Sequence, residues 1–223
     1  MKIGIIAEGP ADVKVIRGVL AALADVDGSD TISIRPDEQK DETVLNERNF
    51  STWSLVLEEC RRESTLANFF DSVDEERYLV VQVDTAERGE EGYEVVEPQR
   101  TGKVNWKLYS SELRENVIRK IETTIDVKYR KQILYAVCVE ETDAWLIPLF
   151  EIPRTDTASK VRPKEYLQGL IGDLKDRHKY VDTDKKNLNY ASLGKLLKKK
   201  LKECRRGNES LNLFCADVEE SLN

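Results

Sequence analysis

Apolar residues in the first two thirds of the chain follow two alternating patterns. Short runs rich in Val and Ile predict strands at residues 2–7, 31–35, 78–83 and 133–139. Between the runs, apolar residues recur every three or four positions and predict helices at residues 10–23, 51–73 and 108–125. Strands that alternate with helices typically form a parallel sheet covered by helices. We therefore expect an α/β fold with a mostly parallel sheet.

The strand pattern stops after Pro153. Helical patterns occupy residues 163–177, 190–204 and 209–222, which predicts an all-helical C-terminal extension. The expected organisation is an α/β domain over residues 1–152 with the helical extension, residues 153–223, packed on it. Residues 142–150 predict a short helix that Thr142 can cap and Pro148 stops or bends. The polar segment 85–104 is long for a loop, which indicates either function or disorder.

Composition excludes several classes of site. The four cysteines have no CxxC spacing, so neither a zinc site nor a disulfide framework is expected. The sequence has one histidine, which makes a histidine-dependent catalytic triad unexpected. No apolar run approaches the length of a membrane span, which predicts a cytoplasmic protein without a membrane partner. The net charge of -7 argues against bulk electrostatic coating of nucleic acid.

Three of the predicted strands end on acidic residues. Glu8 follows the first strand, Asp84 the third, and Glu140 and Glu141 the fourth. In a parallel sheet these positions share one edge, and Asp12 lies one helical turn beyond Glu8. Clustered carboxylates repel one another unless a cation lies among them, and hard oxygen ligands select Mg²⁺ or Mn²⁺. The alternative is that these acids only cap the helices that follow.

Two segments carry a resemblance to a known family. Residues 5–12 (IIAEGPAD) resemble the opening motif of TOPRIM domains, and residues 81–84 (VQVD) resemble the start of their Asp-x-Asp strand. The resemblance covers about the first two thirds of the chain. It implies that Glu8 is a general acid/base or metal-linked glutamate and that Asp84 is the first metal-binding aspartate. Ala86 stands where the family has its second aspartate, so Glu87, or failing that Glu90, is the candidate substitute.

A third segment, residues 139–146 (VEETDAWL), is similar to a strand-to-helix segment of small stand-alone bacterial TOPRIM-like proteins, related to the TOPRIM domain of overcoming-lysogenization-defect (OLD) nucleases. The resemblance implies a setting in phage or mobile-element defence, with Glu141 as a downstream metal acid and Glu140 close behind. Trp145 in this segment is either a core residue or, less expected, a base-stacking residue.

The C-terminal part of the chain concentrates positive charge. Nine Lys and Arg residues lie between Lys185 and Arg206 against a single acid, Glu203. Lys195 and Lys198 are the candidate nucleic-acid contacts in this stretch. The alternative is that these lysines only form the solvated face of an amphipathic helix.

These observations predict a Mg²⁺- or Mn²⁺-dependent nuclease that acts on DNA or RNA. The expected metal ligands are Glu8, Asp84, Glu87, Glu140 and Glu141, with Asp12 assisting catalysis. The alternative is a non-catalytic, degenerate TOPRIM module that binds a partner ATPase or senses a phage component. The chain carries no nucleotide-binding glycine loop, so a separate ATPase is the expected partner, and a homo-oligomer is compatible with the sequence.

Overall fold

The structure, a computed structural model, describes residues 1–24, 26–36, 53–71, 75–100, 102–182 and 187–222. The predicted helix start at Ser51 and the polar stretch after Pro36 lie outside the described residues. The strands are β1 (Lys2–Ile6), β2 (Thr31–Arg35), β3 (Arg77–Asp84), β4 (Ile133–Cys138), β5 (Val181–Asp182) and β6 (Asn187–Leu188). The α-helices are α1 (Pro10–Leu23), α2 (Trp53–Arg61), α3 (Glu63–Phe70), α4 (Trp106–Glu122), α5 (Pro163–Gly172), α6 (Tyr190–Gly207) and α7 (Glu209–Leu222). Short 3₁₀ turns occupy Val127–Gln132, Thr142–Trp145, Ile147–Leu149, Thr157–Ser159 and Arg177–Lys179.

The central sheet has four strands in the order β2-β1-β3-β4, and every neighbouring pair is parallel. The predicted α/β class, the parallel sheet and the helical C-terminal region are therefore confirmed. A two-residue antiparallel ladder of β5 and β6 interrupts that helical region. The sequence does not predict this ladder, because two residues per strand leave no periodic apolar signal. The register pairs Ile6 with Val81 and Asp84 with Cys138, so the ends of β1, β3 and β4 lie at one edge.

The segment 142–150 differs from its predicted form. Instead of one short α-helix it makes two 3₁₀ turns, and the second contains Pro148 within its first two positions. Glu141, not Thr142, stands at the N-cap of the first turn, without a side-chain capping bond. The Thr142 hydroxyl is instead directed to Asp84, and this contact explains why it does not cap the turn.

The sheet separates two apolar layers, and alternate residues of β4 contribute to each. Leu134, Ala136 and Cys138 pack with α1, α6 and α7, whereas Ile133, Tyr135 and Val137 pack with α2, α3 and α4. Alternation of this kind follows from the two-residue period of a strand. Both faces of the sheet are therefore covered, as a parallel sheet requires.

Trp145 belongs to the first of these layers. Its side chain is fully buried, its indole N–H donates to the Ser210 hydroxyl at 2.8 Å, and its ring stacks on Phe214. The prediction that Trp145 is a core residue is confirmed. Trp145 and Phe214 connect the strand-end segment to α7, so the C-terminal helices share the hydrophobic core of the sheet.

No helix in the described part of the chain carries an apolar stretch long enough to cross a bilayer.

Helices α1 and α6 cross closely at two glycines. A methyl group added to Gly18 would lie 2.6 Å from the Gly194 carbonyl oxygen, and one added to Gly194 would lie 2.6 Å from the Lys14 carbonyl oxygen. The backbone atoms of a packed helix cannot move aside for an added methyl group, as the end of a flexible side chain can. The crossing therefore requires residues without side chains on both helices.

We expect Gly18→Ala to destabilise the fold. Overpacking against backbone costs about 1–3 kcal/mol, and this outweighs the roughly 1 kcal/mol that alanine gains over glycine inside a helix. The measurement is the free energy of unfolding in urea. Gly169→Ala is the matched control, because a methyl group on this α5 glycine meets no atom within 4 Å. Equal stability of the two variants would contradict the close crossing.

Candidate active site

The carboxyl ends of β1 and β3 are joined by side-chain hydrogen bonds. The backbone N–H of Asp84 donates to Glu8 Oε1 at 2.7 Å, and the N–H of Glu8 donates to Gln82 Oε1 at 2.9 Å. Glu8 and Asp84 are half-buried, whereas Gln82 is fully buried within β3. The sheet thus fixes the two acids side by side at its edge.

Asp84 is held by the segment that follows β4. Its Oδ1 accepts from Gln82 Nε2 at 2.8 Å and from the Thr142 backbone N–H at 3.2 Å. The Thr142 hydroxyl also lies 3.2 Å from the same oxygen. All three contacts converge on Oδ1, so Asp84 is oriented by its neighbours on both β3 and the 3₁₀ turn.

Two further aspartates complete the cluster. Asp12, in the first turn of α1, interacts with the Thr142 hydroxyl and repels Asp84 electrostatically. Asp143 is buried, accepts a 2.8 Å hydrogen bond from the Tyr190 hydroxyl, and also repels Asp84. We refer to Glu8, Asp12, Asp84 and Asp143 as the acidic cluster.

Burial makes the acidic cluster hard to ionise. It raises the pKa of Glu8 to about 8, with further contributions from the charges of Asp12 and Glu87. Burial also raises the pKa of Asp12 to about 6 and that of Asp143 to about 7. The pKa of Asp84 is raised well above its ordinary value, first by burial and then by the neighbouring carboxylates. Unpaired carboxylates held together in this way favour either a proton or a cation between them.

The ammonium group of Lys164 acts on this cluster. The charge of Lys164, at the start of α5, lowers the pKa of both Asp12 and Asp143, but burial outweighs this effect at each. One ammonium group does not balance four carboxylates. The cluster therefore retains an excess of acceptor oxygens.

The donor set suits a hard divalent cation such as Mg²⁺ or Mn²⁺. Every member of the acidic cluster offers carboxylate oxygens, and neither Glu8 Oε2 nor Asp84 Oδ2 accepts a hydrogen bond from a described residue. Among the described residues, no three acidic, histidine or cysteine side chains form a ready-made metal cage. Mg²⁺ commonly keeps several water ligands and binds through one or two carboxylates plus substrate phosphate. Glu8 and Asp84 are the residues that would hold it.

Glu87 lies at the rim of the cluster. Its side chain is half-buried, and its charge contributes to the raised pKa of Glu8. The pKa of Glu87 is itself raised by burial and by the charges of Glu90 and Glu141. Ala86 is exposed, and Glu90 accepts a hydrogen bond from Trp53 Nε1. Glu87 is thus the candidate substitute that the structure brings toward Glu8.

The structure separates the two glutamates that follow β4. Glu140 has a left-handed backbone (φ 66°) and forms a 3.1 Å ion pair with Arg88, so it is not brought to the acidic cluster as predicted. Its backbone instead bonds Thr85 through both N–H and carbonyl groups. Glu141 lies at the rim, where it accepts from the Lys164 backbone N–H at 3.1 Å.

Sequence reasoning missed several residues of the site. Gln82 carried a signal, because it is the one polar residue between the valines of the predicted strand 78–83. Asp143 also carried one, since it follows Glu141 by two positions. Tyr190 and Lys164 carried none, because their approach depends on where the C-terminal helices pack.

The segment 85–104 is packed against the site. Tyr93 is fully buried, its hydroxyl donates to the Asp84 carbonyl oxygen at 3.0 Å, and its ring stacks on Trp53. Apart from Thr101, the segment is described throughout. Of the two alternatives for this segment, the structure favours a role in supporting the site.

Lys195 and Lys198 do not reach the acidic cluster. Both are exposed on α6, and they line a groove between α6 and α1. Tyr190, at the start of the same helix, contacts Asp143, so α6 leads away from the cluster toward these lysines.

We expect the raised pKa of Glu8 to make the metal-free protein less stable as the pH increases. The folded protein holds this proton more tightly than the unfolded chain, where the glutamate pKa is 4.5. The resulting stabilisation is complete below pH 4.5 and is lost as the pH rises to about 8. Urea unfolding in EDTA across this range measures it. Glu8→Gln should make the profile less steep, while Asp12, Asp84 and Asp143, whose pKa values are also raised, keep part of the slope.

Glu112→Gln, which removes an exposed carboxylate from α4, is the matched control and should keep the wild-type profile. Added Mg²⁺ or Mn²⁺ should restore stability at the upper end of the range. A wild-type profile that coincides with that of Glu8→Gln would show that Glu8 does not titrate differently in the folded state.

Comparison of the chain with protein-family models, with curated proteins and with solved structures finds no match. The resemblance of residues 5–12 and 81–84 to TOPRIM motifs therefore stays a prediction.

Proposed function

We propose that the chain is a Mg²⁺- or Mn²⁺-dependent nuclease whose active site is the acidic cluster. The observation that carries the proposal is the fixed pair of Glu8 and Asp84. The Asp84 backbone N–H donates to Glu8 Oε1, Gln82 and Thr142 donate to Asp84 Oδ1, and one carboxylate oxygen of each acid is left without a described donor. A divalent cation bound there would neutralise charge on a phosphodiester and lower the pKa of a bound water. TOPRIM-like motifs at the same residues agree with this chemistry.

Glu8 has the properties of a proton carrier. In the metal-free protein its pKa of about 8 lies near neutral pH, where a carboxyl group can both accept and return a proton, and a bound cation would lower this pKa. It is half-buried and therefore open to solvent on one side. We assign it the general acid/base role, with Asp12 within electrostatic reach.

The residues around Asp84 have a positioning role. Gln82 and Thr142 hold Oδ1, so the free Oδ2 has a fixed direction. Tyr93 fixes the backbone of Asp84 through its carbonyl oxygen. Groups that are positioned before substrate arrives lose little entropy when it binds, which favours catalysis.

One feature favours a non-catalytic module as the second candidate. Ala86 is exposed where the family motif has its second aspartate, and the remaining Asp84 already has one oxygen engaged in internal bonds. A cluster with such raised pKa values can also be stable in its protonated form. In this alternative the chain binds a partner ATPase or senses a phage component, and the cluster is structural.

The test is cleavage of plasmid DNA, single-stranded DNA and structured RNA with Mg²⁺ or Mn²⁺. We expect metal-dependent cleavage that falls at least about 100-fold in Glu8→Gln and Asp84→Asn, the loss typical of a removed acid–base or metal-linked group. Glu112→Gln, remote on α4, should cleave like the wild type. Circular dichroism verifies that each variant is folded.

Calorimetric titration of Mn²⁺ distinguishes the two candidates independently of substrate choice. Binding that is lost in Asp84→Asn supports the nuclease. A folded wild-type protein that neither binds Mn²⁺ nor cleaves any of the three substrates would overturn the nuclease proposal in favour of the non-catalytic module.

A further inference from the structure

A groove rich in Lys and Arg runs between α1 and α6, away from the acidic cluster. One section, of about 340 Å³, lies beside the Gly18–Gly194 crossing and includes Lys14, Lys195 and Lys198. The next section, of about 650 Å³, lies beyond the end of α1 and shares Lys198 with the first. Lys198 lines both sections, which we refer to together as the basic groove.

Positive charge dominates the larger section of the basic groove. No described acidic residue lines it. Six of its lining residues are Lys or Arg: Lys107, Lys198, Lys199, Lys202, Arg205 and Arg206. Asp27 is the one described acid that lines the smaller section. A protein with a net charge of -7 thus keeps a concave surface nearly free of negative charge.

Several of these cations have no ion-pair partner among the described residues. Lys107 pairs with Glu209 and Arg205 pairs with Glu219. Lys198, Lys199 and Lys202 are exposed and form no ion pair with a described residue. Lys198, Lys199 and Lys202 line the same section of the groove on both sides of a kink in α6 at Lys200, and like charges held close together repel one another. An external anion would relieve this repulsion.

The groove is aligned with the acidic cluster. α1 begins two residues before Asp12, and α6 begins at Tyr190, which contacts Asp143. The two helices run in the same direction, because Gly18 meets Gly194, and Leu23 and Lys202 further along line the same section of the groove. From Tyr190 to a kink at Lys200, α6 rises about 1.5 Å per residue, which places Lys195 and Lys198 roughly 8 and 12 Å from Tyr190. The cations from Lys202 to Arg206 lie beyond the kink.

We propose that the basic groove binds the phosphodiester backbone of a nucleic acid that extends from the acidic cluster. A row of cations along α6 matches a chain of phosphates, which repeat about every 3.4 Å along each strand of a duplex. An elongated groove with unpaired lysines suits a polymer better than a compact ligand. This inference deepens the proposed nuclease function, from which it takes the nucleic acid as ligand.

The test is binding of short fluorescein-labelled single-stranded DNA, duplex DNA and RNA, measured by fluorescence anisotropy in EDTA so that no metal-dependent cleavage occurs. The groove variant combines Lys198→Gln, Lys199→Gln and Lys202→Gln. The matched control combines Lys103→Gln, Lys131→Gln and Lys175→Gln, which removes the same charge from exposed positions outside the groove.

We expect the groove variant to lose at least about tenfold in affinity, and the slope of log affinity against log salt to fall by about 2 to 3, since each lost phosphate contact contributes about 0.7–0.9. The control variant should bind like the wild type. The preferred nucleic acid among the three probes identifies the substrate class. Equal affinity of the groove and control variants, or no binding by the wild type, would overturn the inference.

These outcomes are separate from the cleavage assay. Groove-dependent binding without any metal-dependent cleavage would support the basic groove and count against the nuclease. Metal-dependent cleavage with unchanged affinity in the groove variant would support the nuclease and count against the groove.

Discussion

The hydrogen bond from the Asp84 backbone N–H to Glu8 Oε1 is the constraint on which the site depends. It joins the ends of two neighbouring parallel strands, and it exists because β1 and β3 pair in a register that ends both at the same edge. Gln82 makes the reciprocal contact with the Glu8 backbone from inside β3. Burial raises the pKa values of both carboxylates, and because the strand ends hold the two groups together, the charge of Glu8 raises that of Asp84 further.

Support for this pair comes from all sides of the sheet edge. The 3₁₀ turn after β4 brings Thr142 to Asp84, and the left-handed Glu140 immediately before it bonds the backbone of Thr85. Non-glycine residues in this conformation carry backbone strain, which is common beside functional sites. On the other side, Tyr93 fills the space between Trp53 and the Asp84 carbonyl. The acidic cluster is therefore held by packed residues on rigid elements rather than by mobile loops.

The C-terminal helices connect the acidic cluster to the rest of the molecule. α6 packs against α1 at two glycines, contacts Asp143 through its first residue, and carries the lysines of the basic groove along its exposed side. Its buried side shares a core with the sheet. An amphipathic helix can combine these tasks because its faces are separate, so that packing on one side leaves charge on the other available for binding.

The sequence by itself determined the elements and their class. Apolar runs marked the four strands of the sheet to within one residue. In β3 and β4, which are buried on both faces, apolar residues occupy nearly every position, whereas in the edge strand β2 they alternate with polar ones. The sequence also placed Glu8 and Asp84 at one edge, since parallel strands end together. Only the tertiary structure decided which other acids join them. Glu140 turns to Arg88, whereas Asp143 joins the cluster with Tyr190, which is 47 residues further along the chain. The local pattern of apolar residues indicates which positions of a strand or helix are buried. The direction of a side chain after a strand end depends instead on the backbone conformation there and on packing partners far away in the sequence, and neither produces a periodic pattern.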